Sequence, residues 1–201
     1  MDESVSFEVV SAPDRKPATY ADLENLPENV VGQLIGGGLI AFPRPAAEHG
    51  QAAFALGNQL GTPFSLGVGG PGGWWLLFEP ELHLGGDVLV PDLAGWRRSS
   101  LEAPEGAFIS VAPDWLCEVL SPSTARVDRK LKLPVYARAG VGHVWVVDPA
   151  LRTLEVFRRE GDQWLLLATW GDGDRVRAEP FEAAEVDLAH LWPRIRGEAG
   201  R

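Results

Sequence analysis

Cysteine is nearly absent: the 201 residues contain Cys117 alone, so no internal disulfide can form. Its neighbours Trp115, Leu116, Val119 and Leu120 read as a buried strand rather than the surroundings of a catalytic thiol. Histidine is scarce too, at four residues, and no closely spaced His/Cys set of the kind zinc requires is present. Long apolar runs are missing: stretches such as 73–78 and 144–147 fall far short of the roughly 20 residues that cross a bilayer. The N-terminus has neither a basic start nor an apolar signal stretch, which predicts a cytoplasmic protein.

Positive charge is also in short supply, with 18 Lys and Arg against 28 Asp and Glu, a net charge of −10. That balance argues against a protein coating nucleic acid non-specifically, because such binding rests on phosphate neutralisation. The deficit is uneven. Residues 91–160 carry ten basic and nine acidic side chains, so that stretch is +1 and the remainder is −11. Hydrophobic residues at 45% and charged residues at 23% are ordinary globular usage. The length suits one core, and the expected organisation is a loosely ordered arm over 1–17, a single domain over 18–195 and a tail over 196–201.

Patterning predicts a mixed α/β domain. A short helix over Thr19–Leu26 precedes a hairpin, Val30–Ile35 and Leu39–Phe42, turning at Gly36, Gly37 and Gly38. Apolar residues at helical spacing predict a helix from about Ala46 to Leu60, ended by Gly61 and Pro63. Strands are predicted over Trp74–Phe78, Glu81–Leu84, Val88–Ala94, Ala107–Val111 and Trp115–Leu120. Ser121-Pro122-Ser123-Thr124 then opens a helix to Ala139, with Pro134 kinking it or starting a second one. Strands over His143–Val147, Thr153–Arg158 and Trp164–Trp170 and a partly helical segment from Phe181 to Trp192 complete the series. The glycine-rich turn 67–73 lacks the Lys-Ser/Thr ending of a phosphate loop and is assigned no ligand.

Two carboxylates stand out because apolar strands carry them. Asp92 ends the Val88 run, and Glu118 lies between apolar neighbours. Ionising either in a buried strand is costly without a cation. The bland readings are a turn cap for Asp92 and an arginine partner for Glu118. A pair of carboxylates with waters suits a hard ion, magnesium or manganese. Asp128 and Lys132 stand at i,i+4, either as a surface pair or with Lys132 directed at the carboxylates. Trp96 beside Arg97 and Arg98 is a candidate for stacking on bases.

VLVPDLAGW, PDWLCEVLSPSTAR and DRKLKLPVYARAGVGHVWVVDP resemble the Uma-type family of restriction-endonuclease-like proteins. LPENVVGQLIGG and EHGQAAFALGNQL extend the likeness over most of the chain. That family is regarded as a branch of the PD-(D/E)XK nucleases. The resemblance implies a mixed central sheet flanked by helices, with N- and C-terminal β-hairpins. It also implies a magnesium- or manganese-dependent endonuclease acting on DNA, in which Asp92 and Glu118 bind the ion and Lys132 assists the attacking water. Leu120 stands where E-x-K would place its lysine, so the lysine is expected from the helix. There Lys132, four residues before Tyr136, is preferred over Lys130, which lies on another face. Glu81 matches a frequently acidic position and is expected as a further metal ligand, with Glu79 and His49 as supporting residues. Gln33 replaces a common glutamate. A homodimer is expected, because two DNA strands must be cut. The rival reading is an inactive nuclease-fold module for nucleic-acid binding or protein assembly; a glycosidase-like carboxylate pair fits such apolar strands poorly.

Overall fold

The structure, a computed structural model, describes residues 16–27, 30–43 and 46–192. The expected arm, apart from its last two residues, and the expected tail lie outside them. Helix α1 (Tyr20–Glu24) starts where the Asp22 carboxylate accepts from both the backbone N–H and the hydroxyl of Thr19. Strands β1 (Val30–Ile35) and β2 (Gly38–Pro43) form the expected hairpin. Its turn places Gly36 and Gly37 at φ +60° and +79°, where a side chain would be strained.

Helix α2 (Ala47–Leu60) continues into a π-helical turn, Gly61–Ser65. It is followed by β3 (Trp74–Phe78), β4 (Leu82–Leu84), β5 (Asp87–Leu89), β6 (Leu93–Arg97) and β7 (Trp115–Val119). After β7 come α3 (Ala125–Val127), a π-helical turn over Asp128–Lys132 and α4 (Leu133–Ala139). Pro134 falls at the junction of the π-helical turn and α4 inside one continuous helical segment, and Gly140 at φ +93° ends the helix. Strands β8 (His143–Asp148), β9 (Thr153–Glu160) and β10 (Gln163–Gly171) follow. A small pair, β11 (Arg175–Val176) and β12 (Val186–Asp187), and a 3₁₀ turn, Leu188–His190, end the described chain.

The larger sheet runs β10-β9-β8-β7-β6-β3, and the smaller runs β2-β1-β5-β4. Among the paired strands of the described residues, only β7 and β8 run parallel, joined by the helical segment 125–139. Side-chain alternation on β7 divides the core. Trp115, Cys117 and Val119 pack with α2 and the C-terminal segment around Phe181. Leu116 and Leu120 pack with Tyr136, Ala94, Trp96 and the smaller sheet's Ile35, Ile40 and Phe42. Glu118 therefore occupies an inward position between Leu116 and Leu120.

Two expected strands differ. Val88–Ala94 is not one strand: β5 belongs to the smaller sheet and β6 to the larger, with Val90-Pro91-Asp92 crossing between them. Pro91 has no N–H to give a ladder, which favours the break at this point. Ala107–Val111 forms a single bridge, Ile109 to Leu82, in place of a strand. Trp96 is fully buried and donates to the Val111 carbonyl, so it cannot meet a base. Arg97 and Arg98 instead lie over Trp74 and Trp75, at 4.6 and 4.1 Å from the ring centroids.

Candidate active site

Leu93 pairs with Cys117 in the antiparallel β6–β7 ladder, so Asp92 and Glu118 are the next residues in register, at the end where the chain crosses from one sheet to the other. Their side chains line a common cavity of about 320 Å³. The smaller sheet roofs it with Val31, Gln33 and Phe42, and the turn 121–124 walls it. Gln33, buried, accepts from the Val90 N–H at 3.1 Å. This amide fixes the crossing strand.

Asp92 is held at both oxygens: the Val119 N–H donates to one at 2.6 Å, and His49 Nε2 meets the other. His49 enters from the first turn of α2 and is buried. Burial alone would lower its pKa, but the hydrogen bond and charge of Asp92, with Asp128 and Glu79 beyond, raise it on balance. Its Nδ1 is buried without a hydrogen-bond partner among the described residues.

Glu118 is 2% exposed and Lys132 4%. Lys132 Nζ donates to the two Glu118 oxygens at 3.1 and 3.0 Å, reaches Asp128 Oδ1 at 3.1 Å and lies 3.3 Å from the Val90 carbonyl. Tyr136 donates its hydroxyl to Glu118 at 2.7 Å. Burial pushes Glu118 up to about 8, with Asp128 and Asp92 adding to the rise and Lys132 and Tyr136 opposing it. The same carboxylates outweigh burial at Lys132 and raise its pKa. Three carboxylates thus share one lysine and one histidine, and the most buried carboxylate is under-compensated.

Among the described residues, no group of three or more His, Cys, Asp or Glu side chains is arranged to hold a metal by itself. This argues against an all-protein cage but not against magnesium, which binds one or two carboxylates and keeps waters and substrate phosphates as its other ligands. Asp92 and Glu118, side by side in a cavity lined by four carboxylates against one lysine and one histidine, fit such an ion.

The structure brings Asp92, Glu118, Lys132, Glu79 and His49 to this cavity and leaves two expected residues out. Glu81 turns away: its carboxylate accepts from Tyr20 at 2.8 Å and meets His83 Nε2 at 2.8 Å, and His83 stacks on Phe108. Pro80 and the positive φ of Glu79, +45°, break the alternation that would have put both glutamates on one side. Lys130 is exposed on another face, beside the β1–β2 turn. Sequence reasoning passed over Asp128 as a third carboxylate and Tyr136 as a donor. The spacing 128, 132, 136 was their signal. Four residues overshoot an α-helical turn by about 40°, and the wider π turn over 128–132 offsets the drift, keeping the three in line.

A mixed sheet carrying opposed acidic residues at one end, with a lysine delivered from the following helix, defines a restriction-endonuclease-like fold. The chain belongs to the Uma2 family, described as "Putative restriction endonuclease", whose model matches residues 17–189. A solved structure described as "a putative nuclease belonging to DUF820 from Anabaena variabilis ATCC 29413" superposes with a TM-score of 0.65 at 21% identity. The match covers 87% of this chain and 97% of that one. No curated protein matches. The family makes nuclease the activity class, with nucleic acid as the substrate that class implies. No helix among the described residues is long and apolar enough to cross a membrane.

Proposed function

We propose that this protein is a cytoplasmic magnesium- or manganese-dependent endonuclease of the PD-(D/E)XK type that hydrolyses DNA phosphodiester bonds at the Asp92–Glu118 cavity. The observation that carries the reading is the opposition of these carboxylates in one cavity with Lys132 donating between Glu118 and Asp128. A bound ion would be held by Asp92 and Glu118, and would supply charge stabilisation for the phosphate and a lowered pKa for a bound water. The chain's own residues do the rest. The Val119 N–H and His49 fix the rotamer of Asp92, Tyr136 and Lys132 fix that of Glu118, and the Lys132 ammonium offers donors to position a water.

A rival reading, a nuclease-fold module that binds without turnover, is favoured by one observation: Lys132 engages both Glu118 oxygens and thereby competes with an ion. Calorimetric titration of magnesium and then manganese into the wild type, Asp92→Ala and Glu118→Ala, beside plasmid and oligonucleotide cleavage, separates the two. Ion binding lost in both variants, with cleavage also lost in Lys132→Ala, is the expected result. A wild type that binds neither ion sinks the nuclease reading.

A homodimer is proposed through β10. It is an outer strand of the larger sheet, with no ionisable side chain over 163–171 and with Leu165 and Leu166 exposed. A neutral strand edge can pair with its own symmetry copy in a chain whose net charge otherwise repels a second molecule.

A further inference from the structure

Beside the carboxylate cavity lies a second depression of about 290 Å³, and Asp92, His49 and Glu79 line both. Its remaining wall is apolar, and two of its residues are the phenylalanines Phe54, 61% exposed, and Phe78, 54% exposed. A single exposed phenylalanine on a protein surface needs no explanation. Two rings bordering one depression that ends on the proposed metal-binding aspartate do. Phe78 is seated deliberately: its ring lies against Gly57 of α2, where a Cβ would come within 2.2 Å of Cζ. Phe54 stands one helical turn before that glycine, so the same helix positions both rings.

We propose that the substrate strand is unpaired where it is cut. Phe54 and Phe78 stack bases on one side of the scissile phosphate, and the cavity under Val31 and Phe42 takes the nucleotide on the other. This rests on the nuclease reading for the position of the phosphate. Three observations carry it. Glu118, at 2% exposure, lies below the surface, in a cavity whose volume is that of a small ligand pocket. Bases inside a duplex are already stacked and cannot present their faces to the two rings, whereas unpaired bases can. Among the described residues, neither depression is lined by an arginine, and Lys132 is the one lysine lining either. The described walls therefore offer a substrate more aromatic surface than positive charge, and stacking supplies a large part of the affinity.

The test pairs a binding and a cleavage measurement on the full chain. Fluorescence anisotropy with a labelled oligonucleotide, single-stranded or annealed to its complement, is read without divalent metal for the wild type, Phe54→Ala and Phe78→Ala. Phe54→Tyr and Phe78→Trp serve as conservative controls, and cleavage of both substrates is followed in magnesium and in manganese. The expected result is tighter binding and faster cutting of the single strand. Each alanine variant should lose affinity on the order of tenfold, and the aromatic replacements should retain it. The salt dependence should be shallow, corresponding to about one or two phosphates. A duplex bound or cut as well as the single strand, or alanine variants that bind like the wild type, overturns the proposal. Ring-dependent binding of the single strand with no cleavage in either metal upholds the platform and removes the nuclease reading instead.

Discussion

Replacing Lys132 by methionine keeps much of the side chain's volume and removes its ammonium from between Glu118, Asp128 and the Val90 carbonyl. Truncating one partner of a buried ion pair costs about 3–5 kcal/mol, because the remaining charge has lost its compensation. For a chain of this length, at about 2–4 °C per kcal/mol, the melting temperature should fall by roughly 6–20 °C. The loss should depend on pH. Glu118 is held up at about 8 against an ordinary 4.5, so the fold binds this proton more tightly than the unfolded chain does. Its contribution to stability is complete below about 4.5 and is lost as pH climbs through about 8. Without the ammonium, the Glu118 pKa moves higher still. Near pH 5 Glu118 is protonated in both proteins and only the contact with Asp128 is lost, so the deficit is at its smaller value; toward pH 9 the ionised Glu118 has also lost its partner, and the deficit grows. Urea unfolding followed by tryptophan fluorescence across that range reads both quantities. A deficit below about 1 kcal/mol at high pH, or one of constant size, would refute the coupling. Adding Glu118→Gln to Lys132→Met should recover part of the loss.

Glu81→Ala should leave magnesium affinity unchanged within about twofold, since its carboxylate is tied to Tyr20 and His83; a calorimetric loss comparable to that of Asp92→Ala would put Glu81 back at the ion. Leu166→Lys on the edge of β10 should shift the protein to monomer in sedimentation equilibrium with no change in melting temperature beyond about 2 °C. A monomeric wild type, or a dimer indifferent to the substitution, removes this interface.

Much of the site was legible because burial of charge is visible in a sequence: Asp92 at the end of an apolar run and Glu118 within one. The family likeness then directed attention to Lys132 rather than Lys130, and the helix does face Lys132 inward beside Glu118 while Lys130 stays in solvent. Glu81 was expected at the ion from its match to a frequently acidic family position; Pro80 and the left-handed turn at Glu79 interrupt the alternation there, so Glu79 lines the cavity and Glu81 does not. Asp128 looked like half of a surface pair because i,i+4 spacing does not reveal whether the stripe faces solvent; the parallel β7–β8 crossover, a tertiary feature, turns it inward. The break within Val88–Ala94 was signalled by Pro91, but its meaning, a crossing from one sheet to the other, is tertiary and appears only in the sheet assignment.

That break makes the roof of the cavity a separable part. Asp92, Glu118, Lys132 and Tyr136 are carried by β6, β7 and the helix between β7 and β8, or stand one residue from them, whereas Val31, Gln33 and Phe42 come from a hairpin contributed by an earlier stretch of chain. The hairpin faces the chemistry across the cavity and through the Gln33 bond to Val90, while its Ile35 and Ile40 pack in the core with Tyr136. Proteins with this arrangement can therefore change what they accept by altering one hairpin while the acidic pair and its lysine remain untouched, so selectivity and reactivity are free to evolve at different rates.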